Sequence, residues 1–436
     1  MAERAGRGDR AENLTIRAGL SPLDRLRRRC IALKITSRNH KPRSRRRSAV
    51  PQTETASRID WVARSCRLLQ ATAAEFRSSR PFEGLSIGTG IHLEPKTVAM
   101  LMTLAAGGAR IVATGNLNST QPETVAYLRD QGITVFATQT TDEAEHGRTL
   151  DALLAETPDL LLDNGGDLFA RVAEKPYAGL LGGTEETTSG RTRLLPLRQR
   201  LAKPILVIND SPIKQFAENR HAVGQSLFES YMRFTNRSTN GKRVTVFGYG
   251  ACGKGTAACF RNAFSAVSVV DIDPVTALEA HLDGFSTPLR ETAIRTADVI
   301  ATVTGFSGII TVADLPLIKD GAILLNGGHF PHEIDVERFR ASADVVKTEH
   351  YVADGIETFH LADGRAFHVL GGGHMANLAG PRPLGNSVES MDLGFTLQVR
   401  CLERIARGGV GAEACIVPVP ADIDAMVAGA YLDIHR

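Results

Sequence analysis

The chain has 436 residues, more than one compact core usually contains, so we expect at least two domains. Its 43% hydrophobic and 23% charged residues are ordinary for a soluble globular protein, and no apolar run reaches the roughly 18 residues that a membrane span needs. The six cysteines lack metal-ligand spacing, which argues against a metal site and predicts reduced thiols in the cytoplasm.

The positive charge is concentrated at the start of the chain. Residues 1–50 hold fifteen lysines and arginines against four acidic residues, so this segment carries +11 and the remainder −8 of the net charge of +3. A basic arm can bind nucleic acid or act as a targeting sequence, but this one lacks aromatic residues and a sustained apolar face. We therefore expect a disordered arm over 1–56. The acidic remainder argues against nucleic acid as the main partner.

From residue 57 the sequence alternates between strand and helix patterns. Pro95 stands at the start of a predicted helix, where proline is favoured. The predicted elements are strands at 85–88, 110–114, 133–137 and 159–162 and helices at 97–106 and 120–130. This alternation predicts a parallel sheet with functional groups on the loops at the carboxyl ends of its strands. His92 and the run DNGGD at 163–167 lie on such loops.

A second series of strands and helices begins near residue 242. A strand at 243–247 leads into a glycine turn at 248–253 and a helix at 254–264, and the next strand, 267–270, ends at Asp271. Further predicted elements are strands at 298–302, 322–325 and 344–347, a hairpin around 362–364 and a helix at 387–406.

The glycine turn has the full context of a dinucleotide site, because it joins a strand to a helix and an acidic residue ends the following strand. Gly248 permits the tight turn, Gly250 lets the backbone approach a pyrophosphate, and Gly253 permits close helix–strand packing. Asp271 would accept hydrogen bonds from the adenosine ribose and repel a 2′-phosphate, which favours NAD over NADP. The alternative is a packing turn without a ligand.

Several motifs of this chain resemble those of one family. GYGACGKG at 248–255 is similar to the cofactor loop of the S-adenosylhomocysteine hydrolases, and DIDP at 271–274 is similar to its continuation. Further blocks follow in the order of that family: DNGGD at 163–167, EETT at 185–188, NDS at 209–211, NGGHF at 326–330, EID at 333–335 and NL at 377–378. The resemblance covers roughly residues 57–430 and implies bound NAD.

The resemblance also implies an architecture. We expect an α/β protein with two doubly wound parallel-sheet domains. An NAD-binding Rossmann domain at 225–384 is expected to be inserted in a nucleoside-binding domain at 57–210 and 387–418, with a short C-terminal segment at 419–436. The family's C-terminal extension, whose lysine and tyrosine reach the NAD of a neighbouring subunit, is absent here, since no lysine follows Lys347. A homo-oligomer, dimer or tetramer, is still expected.

The implied mechanism uses NAD as a resident redox catalyst. Oxidation of a nucleoside at C3′ acidifies the neighbouring C4′–H, so that the 5′ group can be eliminated, water can add, and C3′ is finally reduced. The implied catalytic residues are Lys214 for oxidation at the 3′-hydroxyl, Glu186 for the ribose hydroxyls, and the histidines His92 and His329. A lysine that acts as a base needs a lowered pKa.

Further positions carry over as binding residues. The implied NAD contacts, besides the glycine turn and Asp271, are Thr187, Thr188, Asn219, Asn326 and Asn377. The implied substrate contacts are Glu94, Lys96, Asn386, Met391 and Phe395.

The chain departs from the family pattern around the nucleoside. Asn164 replaces an aspartate that works with the 5′ histidine, Glu218 replaces the ribose-holding aspartate, and Asn386 replaces a base-contacting histidine. Glu94 and Lys96 stand where the family reads adenine, and Lys96 reverses the charge, unless the two side chains pair and neutralise each other.

These departures leave three hypotheses. The first is a divergent enzyme that eliminates a 5′ group, most simply water, to give a 4′,5′-unsaturated nucleoside as in nucleoside-antibiotic biosynthesis. The second is an authentic adenosylhomocysteinase that converts S-adenosylhomocysteine to adenosine and homocysteine. The third is a non-catalytic regulatory protein that binds NAD and nucleotides.

Overall fold

The computed structural model describes residues 57–329 and 331–436, and the predicted basic arm lies outside the described residues. Two β-sheets with helices packed against them form the described part, which confirms the predicted α/β class. The described residues belong to one compact unit. Within this part of the chain, no helix combines the length and apolar character that a membrane crossing requires.

The strands of the described chain coincide closely with the predicted ones where a prediction was made. In chain order they are β1 (Ser86–Gly90), β2 (Arg110–Thr114), β3 (Thr134–Val135), β4 (Leu160–Asp163), β5 (Gly182–Glu185), β6 (Ile205–Val207), β7 (Arg243–Phe247), β8 (Ala266–Val270), β9 (Val299–Thr302), β10 (Ile323–Asn326), β11 (Val345–Tyr351), β12 (Ile356–Leu361), β13 (Ala366–Leu370) and β14 (Cys415–Pro418).

The helices alternate with these strands. In chain order they are α1 (Arg58–Ser65), α2 (Arg67–Ser79), α3 (Pro95–Ala106), α4 (Pro122–Asp130), α5 (Glu143–Ala155), α6 (Asp167–Glu174), α7 (Thr188–Leu194), α8 (Arg198–Leu201), α9 (Val223–Thr235), α10 (Ala251–Asn262), α11 (Pro274–Leu282), α12 (Arg290–Thr296), α13 (Val336–Ala341), α14 (Val388–Ala406) and α15 (Ala421–His435). A π-helix, Lys214–Ala222, precedes α9.

The first sheet is parallel throughout, with the described strands in the order β14-β6-β5-β4-β1-β2-β3. The chain runs outward from β1 to β3 and then returns to the other side of β1 to start β4. Neighbouring strands whose connections leave in opposite directions form a crevice at their carboxyl ends, where ligands of doubly wound sheets bind. His92 follows β1 and the run 163–167 begins at the end of β4, so both lie at this crevice.

The second sheet has the order β11-β12-β13-β10-β9-β7-β8. Its strands from β13 to β8 are parallel, and the crevice between β7 and β9 receives the glycine turn that follows β7. The edge departs from a purely parallel sheet, because β12 is antiparallel to both β11 and β13. The turn 362–364 joins β12 to β13, which confirms the predicted hairpin.

Helix α14 returns the chain from the second sheet to the first. Its buried apolar residues pack into the same core as α2, α3 and β1, and its Asp392 accepts hydrogen bonds of 2.8 and 2.9 Å from the amides of Leu68 and Leu69 in the first turn of α2. Strand β14 then pairs with β6 at the edge of the first sheet. The predicted domain bounds and the homo-oligomer stay predictions.

Candidate active site

A cavity of about 690 Å³ lies where loops of the two sheets meet. Loops that follow β1, β4 and β5 form one side, and the glycine turn with the loops after β9 and β10 forms the other. All predicted catalytic and substrate-binding residues and five of the predicted NAD contacts line it: His92, Glu94, Lys96, Asn164, Glu186, Thr187, Thr188, Lys214, Glu218, Asn219, Gly250, His329, Asn377, Asn386, Met391 and Phe395. The fold therefore brings together predicted residues that are far apart in the chain.

A buried cluster of one lysine and two glutamates forms the centre of this cavity. Lys214 Nζ donates a hydrogen bond of 2.8 Å to Glu186 Oε1 and a second, shorter one to Glu218 Oε1. Lys214 is the first residue of the π-helix, and Glu218 lies four residues later on the same side of that helix. Glu186 follows β5. Each of the three residues is 4–5% exposed. Glu218 Oε2 is buried and accepts from no described residue.

The three groups shift one another's pKa in a definite sense. Burial opposes the charged form of Lys214, but the two carboxylates outweigh it and raise the pKa of this lysine above its usual value. Burial, helped by the charge of Glu186, raises the pKa of Glu218 to about 7 although Lys214 opposes the shift. The expectation that Lys214 has a lowered pKa is therefore wrong. Glu218 is the member of the cluster that can take up a proton near neutral pH.

The side chain of His92 is hydrogen-bonded to the loop after β2. Its Nδ1 lies 2.6 Å from Ser119 Oγ, and Ser119 donates its own hydroxyl proton to the carbonyl of Asn116 at 3.2 Å. The contact with Ser119 fixes the orientation of the imidazole ring, and the tautomer decides which of the two groups donates. Burial, with the nearby His329, lowers the pKa of His92 to about 4. The imidazole is thus a neutral base at neutral pH.

Asn164 is tied to the lysine cluster rather than to His92. Its Nδ2 donates to Glu186 Oε2 at 2.8 Å, and its Oδ1 accepts from Asn116 Nδ2 at 2.8 Å. Sequence reasoning missed Asn116 and Ser119, although the polar run NLNS at 116–119 follows a predicted strand and was a signal for them. The hydrogen-bond partner of His92 found here is a serine.

Glu185, to which the sequence analysis assigned no role, fixes the loops of the crevice. Its carboxylate accepts hydrogen bonds from the amides of Gly165, Gly166 and Thr187 at 3.1, 3.0 and 2.7 Å. Burial, with the charge of Asp163, raises the pKa of Glu185 well above its usual value. Glu185 therefore joins the loop after β4 to the loop after β5, the two loops that carry Asn164 and Glu186.

One end of the cavity carries the predicted base-contacting residues. Lys96 Nζ lies 2.7 Å from Glu94 Oε2, so the pair that was left open as an alternative forms, and Lys96 also donates to the carbonyl of Leu384 at 2.8 Å. Met391 and Phe395 project from α14 into the same cavity. Asn386 connects this end to the cluster, because its Nδ2 lies 3.5 Å from Glu218 Oε1.

The glycine turn has the geometry that a dinucleotide requires. Gly248 has a φ of +95°, and a Cβ on Gly253 would lie 2.0 Å from the carbonyl oxygen of Gly248, so neither position accepts a side chain. A Cβ on Gly250 would meet nothing within 4 Å, and this open side faces the cavity where α10 begins. The unpaired amides at that helix start suit a pyrophosphate, so the residues present fit NAD.

Four predicted NAD contacts lie outside the cavity lining: Gly248, Gly253, Asp271 and Asn326. Asp271 follows β8 and accepts from the amides of Tyr249 at 2.7 Å and Asp273 at 2.9 Å, so its carboxylate is anchored beside the turn. Asn326 is fully buried, and its side chain bonds to Thr302, to the backbone of Gly328 and to the carbonyl of Gly373. Asn326 therefore shapes the loop before His329.

A second cavity of about 530 Å³ adjoins the first. The two share six lining residues, among them His92, His329 and Arg193, and the second extends to His146 and Arg171. Burial lowers the pKa of His329 below its usual value. Within the described residues, no group of three or more His, Cys, Asp or Glu side chains is placed to hold a metal ion.

Comparisons with known proteins agree with this geometry. The sequence model described as S-adenosyl-L-homocysteine hydrolase matches residues 57–177, and that of the NAD binding domain of the same hydrolase matches residues 219–382. The adenosylhomocysteinase of Thermotoga maritima is 36% identical over 382 residues, which are 86% of this chain and 93% of that protein. The chain belongs to the S-adenosyl-L-homocysteine hydrolase family.

Relatives named S-inosyl-L-homocysteine hydrolases are similar to this chain to the same degree. The S-inosyl-L-homocysteine hydrolase of Methanopyrus kandleri is 36% identical over 382 residues, 86% of this chain and 89% of that protein. That of Methanothermobacter thermautotrophicus is 34% identical over 392 residues, 88% and 92% of the two chains.

Membership decides part of the sequence-based interpretation. The chain is an enzyme of the S-adenosyl-L-homocysteine hydrolase family with that family's NAD-binding domain, which confirms NAD as the cofactor and removes the non-catalytic alternative. The roles assigned to individual residues remain predictions, and so does the group that the enzyme removes.

Proposed function

We propose that this enzyme hydrolyses a nucleoside thioether of the S-nucleosyl-homocysteine type. The proposed steps are oxidation at C3′, elimination of the thiol from C5′, addition of water at C5′ and reduction of C3′. The observation that carries the proposal is the buried cluster of Lys214, Glu186 and Glu218 in the cavity that the glycine turn also lines. NAD bound there would supply the redox chemistry, as the acceptor and later the donor of the C3′ hydride.

Glu218 is the proposed acceptor of the 3′-hydroxyl proton. Its Oε2 has no described partner, and its pKa of about 7 suits an acceptor near neutral pH. Lys214 and Glu186 are held by their mutual hydrogen bond, and their proposed role is to bind the ribose hydroxyls, the ammonium as donor and the carboxylate as acceptor. Loss of that proton and of the C3′ hydride leaves a ketone.

The ketone makes the C4′–H acidic enough to be lost to solvent as a proton, and the electron pair stays on the substrate as an enolate. Elimination then breaks the C5′–S bond, and the sulfur leaves as a thiolate with the bonding electrons. A thiolate is a good leaving group and needs little help from an acid. Addition of water puts hydroxyl on C5′ and a proton on C4′, and the neutral imidazole of His92 is the proposed acceptor of the proton from that water.

The second cavity supports a 5′ substituent larger than a hydroxyl. It opens from the first cavity at His92 and His329, and its volume of about 530 Å³ has room for an amino-acid tail. Its border includes a cationic side chain, Arg193, an anionic one, Asp167, and a neutral polar one, Asn118. An α-amino acid carries one ammonium and one carboxylate, which such a border can pair.

A second candidate reaction is loss of water from a free 5′-hydroxyl, which would give a 4′,5′-unsaturated nucleoside of the kind made in nucleoside-antibiotic biosynthesis. Asn164 favours it, because an amide replaces the ionisable side chain expected beside the 5′ histidine. Hydroxide is a poorer leaving group than a thiolate, however, and needs a proton donor. A histidine with a pKa of about 4 holds little of the acid form at neutral pH, so hydrolysis ranks first.

The two reactions give different products from different substrates. The NAD-loaded full chain is incubated separately with S-adenosylhomocysteine, S-inosylhomocysteine, adenosine and inosine, and free thiol and product masses are measured. Hydrolysis predicts thiol release with kcat/KM of about 10⁴ M⁻¹s⁻¹ or more for one thioether. Dehydration predicts a product lighter by one water from a free nucleoside. Lys214→Ala is the control that removes either reaction.

A further inference from the structure

Glu185 is a fully buried carboxyl group that the proposed reaction does not use. It ends β5, and in the described part of the chain no lysine, arginine or histidine forms an ion pair with it. Its oxygens instead accept four hydrogen bonds, from the amides of Gly165, Gly166 and Thr187 and from the Thr187 hydroxyl at 2.7 Å. A buried charge needs a counterion or dense hydrogen bonding. The charge of Glu185 is therefore compensated by the loops themselves.

Asp163 lies beside Glu185 at the end of the neighbouring strand. The two residues are partners in the parallel register of β4 and β5, so their side chains point to the same face of the sheet. Asp163 is also fully buried, and it accepts from the amides of Asn164 at 3.0 Å and Phe169 at 2.9 Å. Two adjacent buried carboxyl groups without a cation cannot both ionise readily, and such a pair retains a proton.

The charged groups around this pair have partners of their own. Asp167 of α6 forms an ion pair with Arg193 and lies 3.9 Å from His146, and Glu186 forms an ion pair with Lys214. The strands on either side, β1 and β6, place no charged residue in register with the pair. Burial raises the pKa of Asp163 to about 7, helped by the charge of Asp167. Among the described residues, no cation is left for a second carboxylate.

The two loops that Glu185 joins carry residues of the candidate active site. Asn164 lies in one loop and Glu186 in the other, and their side chains are 2.8 Å apart. The first loop also supports His329, because a Cβ on Gly165 would lie 2.9 Å from His329 Nε2. A shift of this loop would therefore separate Asn164 from Glu186 and change the surface against which His329 lies.

We propose that Glu185 is a positioning residue for these two loops and that it shares one proton with Asp163. The four hydrogen bonds to Glu185, against two to Asp163, favour the charge on Glu185 and the proton on Asp163. A protonated Asp163 can donate to Glu185 and still accept from its two amides. The positioning role rests on the proposed function, whereas the shared proton is a property of the fold and does not depend on the substrate.

The positioning role is tested by comparing Glu185→Gln with Asp163→Asn in the NAD-loaded full chain. Glu185→Gln moves the charge away from the amides of the two loops, so NADH formation on addition of adenosine or inosine should fall at least about tenfold. Asp163→Asn replaces one neutral group with another and should lose much less. Glu174→Gln, at the exposed end of α6, is the matched control and should keep the rate of the parent.

The shared proton is tested by infrared spectroscopy of the same proteins at neutral pH. The carbonyl band of one protonated carboxyl group should be present in the parent and lost in Glu185→Gln and in Asp163→Asn, because sharing needs both partners. With a pKa raised from 3.8 to about 7, folded Asp163 holds a proton that the unfolded chain releases. The melting temperature of the parent relative to Asp163→Asn should therefore fall as the pH rises between these values.

The outcomes separate the two parts of the proposal. A carbonyl band that persists in both variants, or a difference in melting temperature that does not change with pH, overturns the shared proton. Equal rates in Glu185→Gln and the parent overturn the positioning role, and equal losses in the two variants overturn the placement of the charge. Failure of both variants to fold shows that both carboxylates must be charged, which also overturns the proposal. A parent that forms no NADH with either nucleoside contradicts the proposed function and the positioning role that rests on it, while the infrared result still decides the shared proton.

Discussion

Lys214 Nζ and Glu186 Oε1 lie 2.8 Å apart in a buried wall of the cavity, and the same ammonium also bonds to Glu218. One cation therefore compensates two carboxylates that are taken out of water. Removing the cation would leave two buried like charges, whereas removing one carboxylate would leave a neutral pair. The three side chains act as a unit both in stability and in proton uptake.

Lys214→Ala is expected to abolish nucleoside-dependent NADH formation, at least about a hundredfold, and to lower the free energy of unfolding by about 3 kcal/mol. The stability loss follows from the two uncompensated carboxylates, Glu186 and Glu218. The measurements are the absorbance rise of the NADH band and chemical denaturation. Lys175→Ala, at an exposed site, should stay within about 0.5 kcal/mol of the parent. A Lys214→Ala protein with the parent's absorbance rise would contradict the role given to this lysine.

His92 should make the folded protein more stable at neutral pH than at acidic pH. Its pKa is lowered from 6.5 to about 4, so between these values the unfolded chain binds a proton that the folded chain does not. The stabilising contribution of the neutral imidazole is complete above pH 6.5 and is lost as the pH falls toward 4. His92→Gln lacks this contribution. Melting temperatures at about pH 5 and about pH 7.5 should therefore show a larger advantage of the parent over this variant at the higher pH. An advantage that grows at the lower pH would reverse the sign.

Asn164→Asp tests the amide in contact with Glu186. The substitution would replace a 2.8 Å N–H···O contact with two carboxylate oxygens, which must share a proton or repel each other. We expect the variant to lose stability relative to the parent as the pH rises from about 5 to about 8, by about 1–3 kcal/mol. Asn240→Asp, at an exposed turn, is the matched control. A variant whose stability follows the parent at every pH would place Asn164 outside the cluster.

Much of the fold could be predicted, because buried strands and glycine turns are local signals. The predicted strands 110–114 and 243–247 coincide with β2 and β7, and the helix 387–406 differs from α14 by one residue. Helix α5 was not predicted, since it buries only Leu150 and Leu153 and has Gly147 in its interior. The long helix α15 lies within the C-terminal segment that was expected to be short.

The candidate site was predictable where motifs name residues and unpredictable where contacts join distant loops. Lys214 and Glu186 carried family motifs, and the structure brings them together across 28 positions. The serine that orients His92 comes from a loop 27 positions away, and the asparagine that orients Asn164 from one 48 positions away. Neither contact follows from local sequence, because each depends on the order of strands in the first sheet. Lys214 and Glu218 lie four residues apart in a π-helix, which the sequence analysis did not predict.

Asp271→Asn is expected to weaken NAD binding by about tenfold or more, because the carboxylate beside the glycine turn is the predicted acceptor for the ribose hydroxyls. The same change removes a negative charge that repels a 2′-phosphate, so the ratio of NADP to NAD affinity should rise. Both are measured by fluorescence titration of the cofactor-free protein. Asp363→Asn, in the turn between β12 and β13, should leave both affinities unchanged. Unaltered NAD affinity in Asp271→Asn would contradict the assignment.

The most direct test of the central claim follows the hydrogen on C4′ during turnover. The NAD-loaded enzyme is incubated in D₂O with S-inosylhomocysteine, and the released nucleoside is examined by mass spectrometry and proton NMR. Oxidation at C3′ followed by elimination and water addition exchanges the C4′ proton with solvent. We predict free homocysteine and a nucleoside that carries deuterium at C4′. Thiol release with the original hydrogen retained at C4′ would show direct displacement at C5′ and would contradict the account.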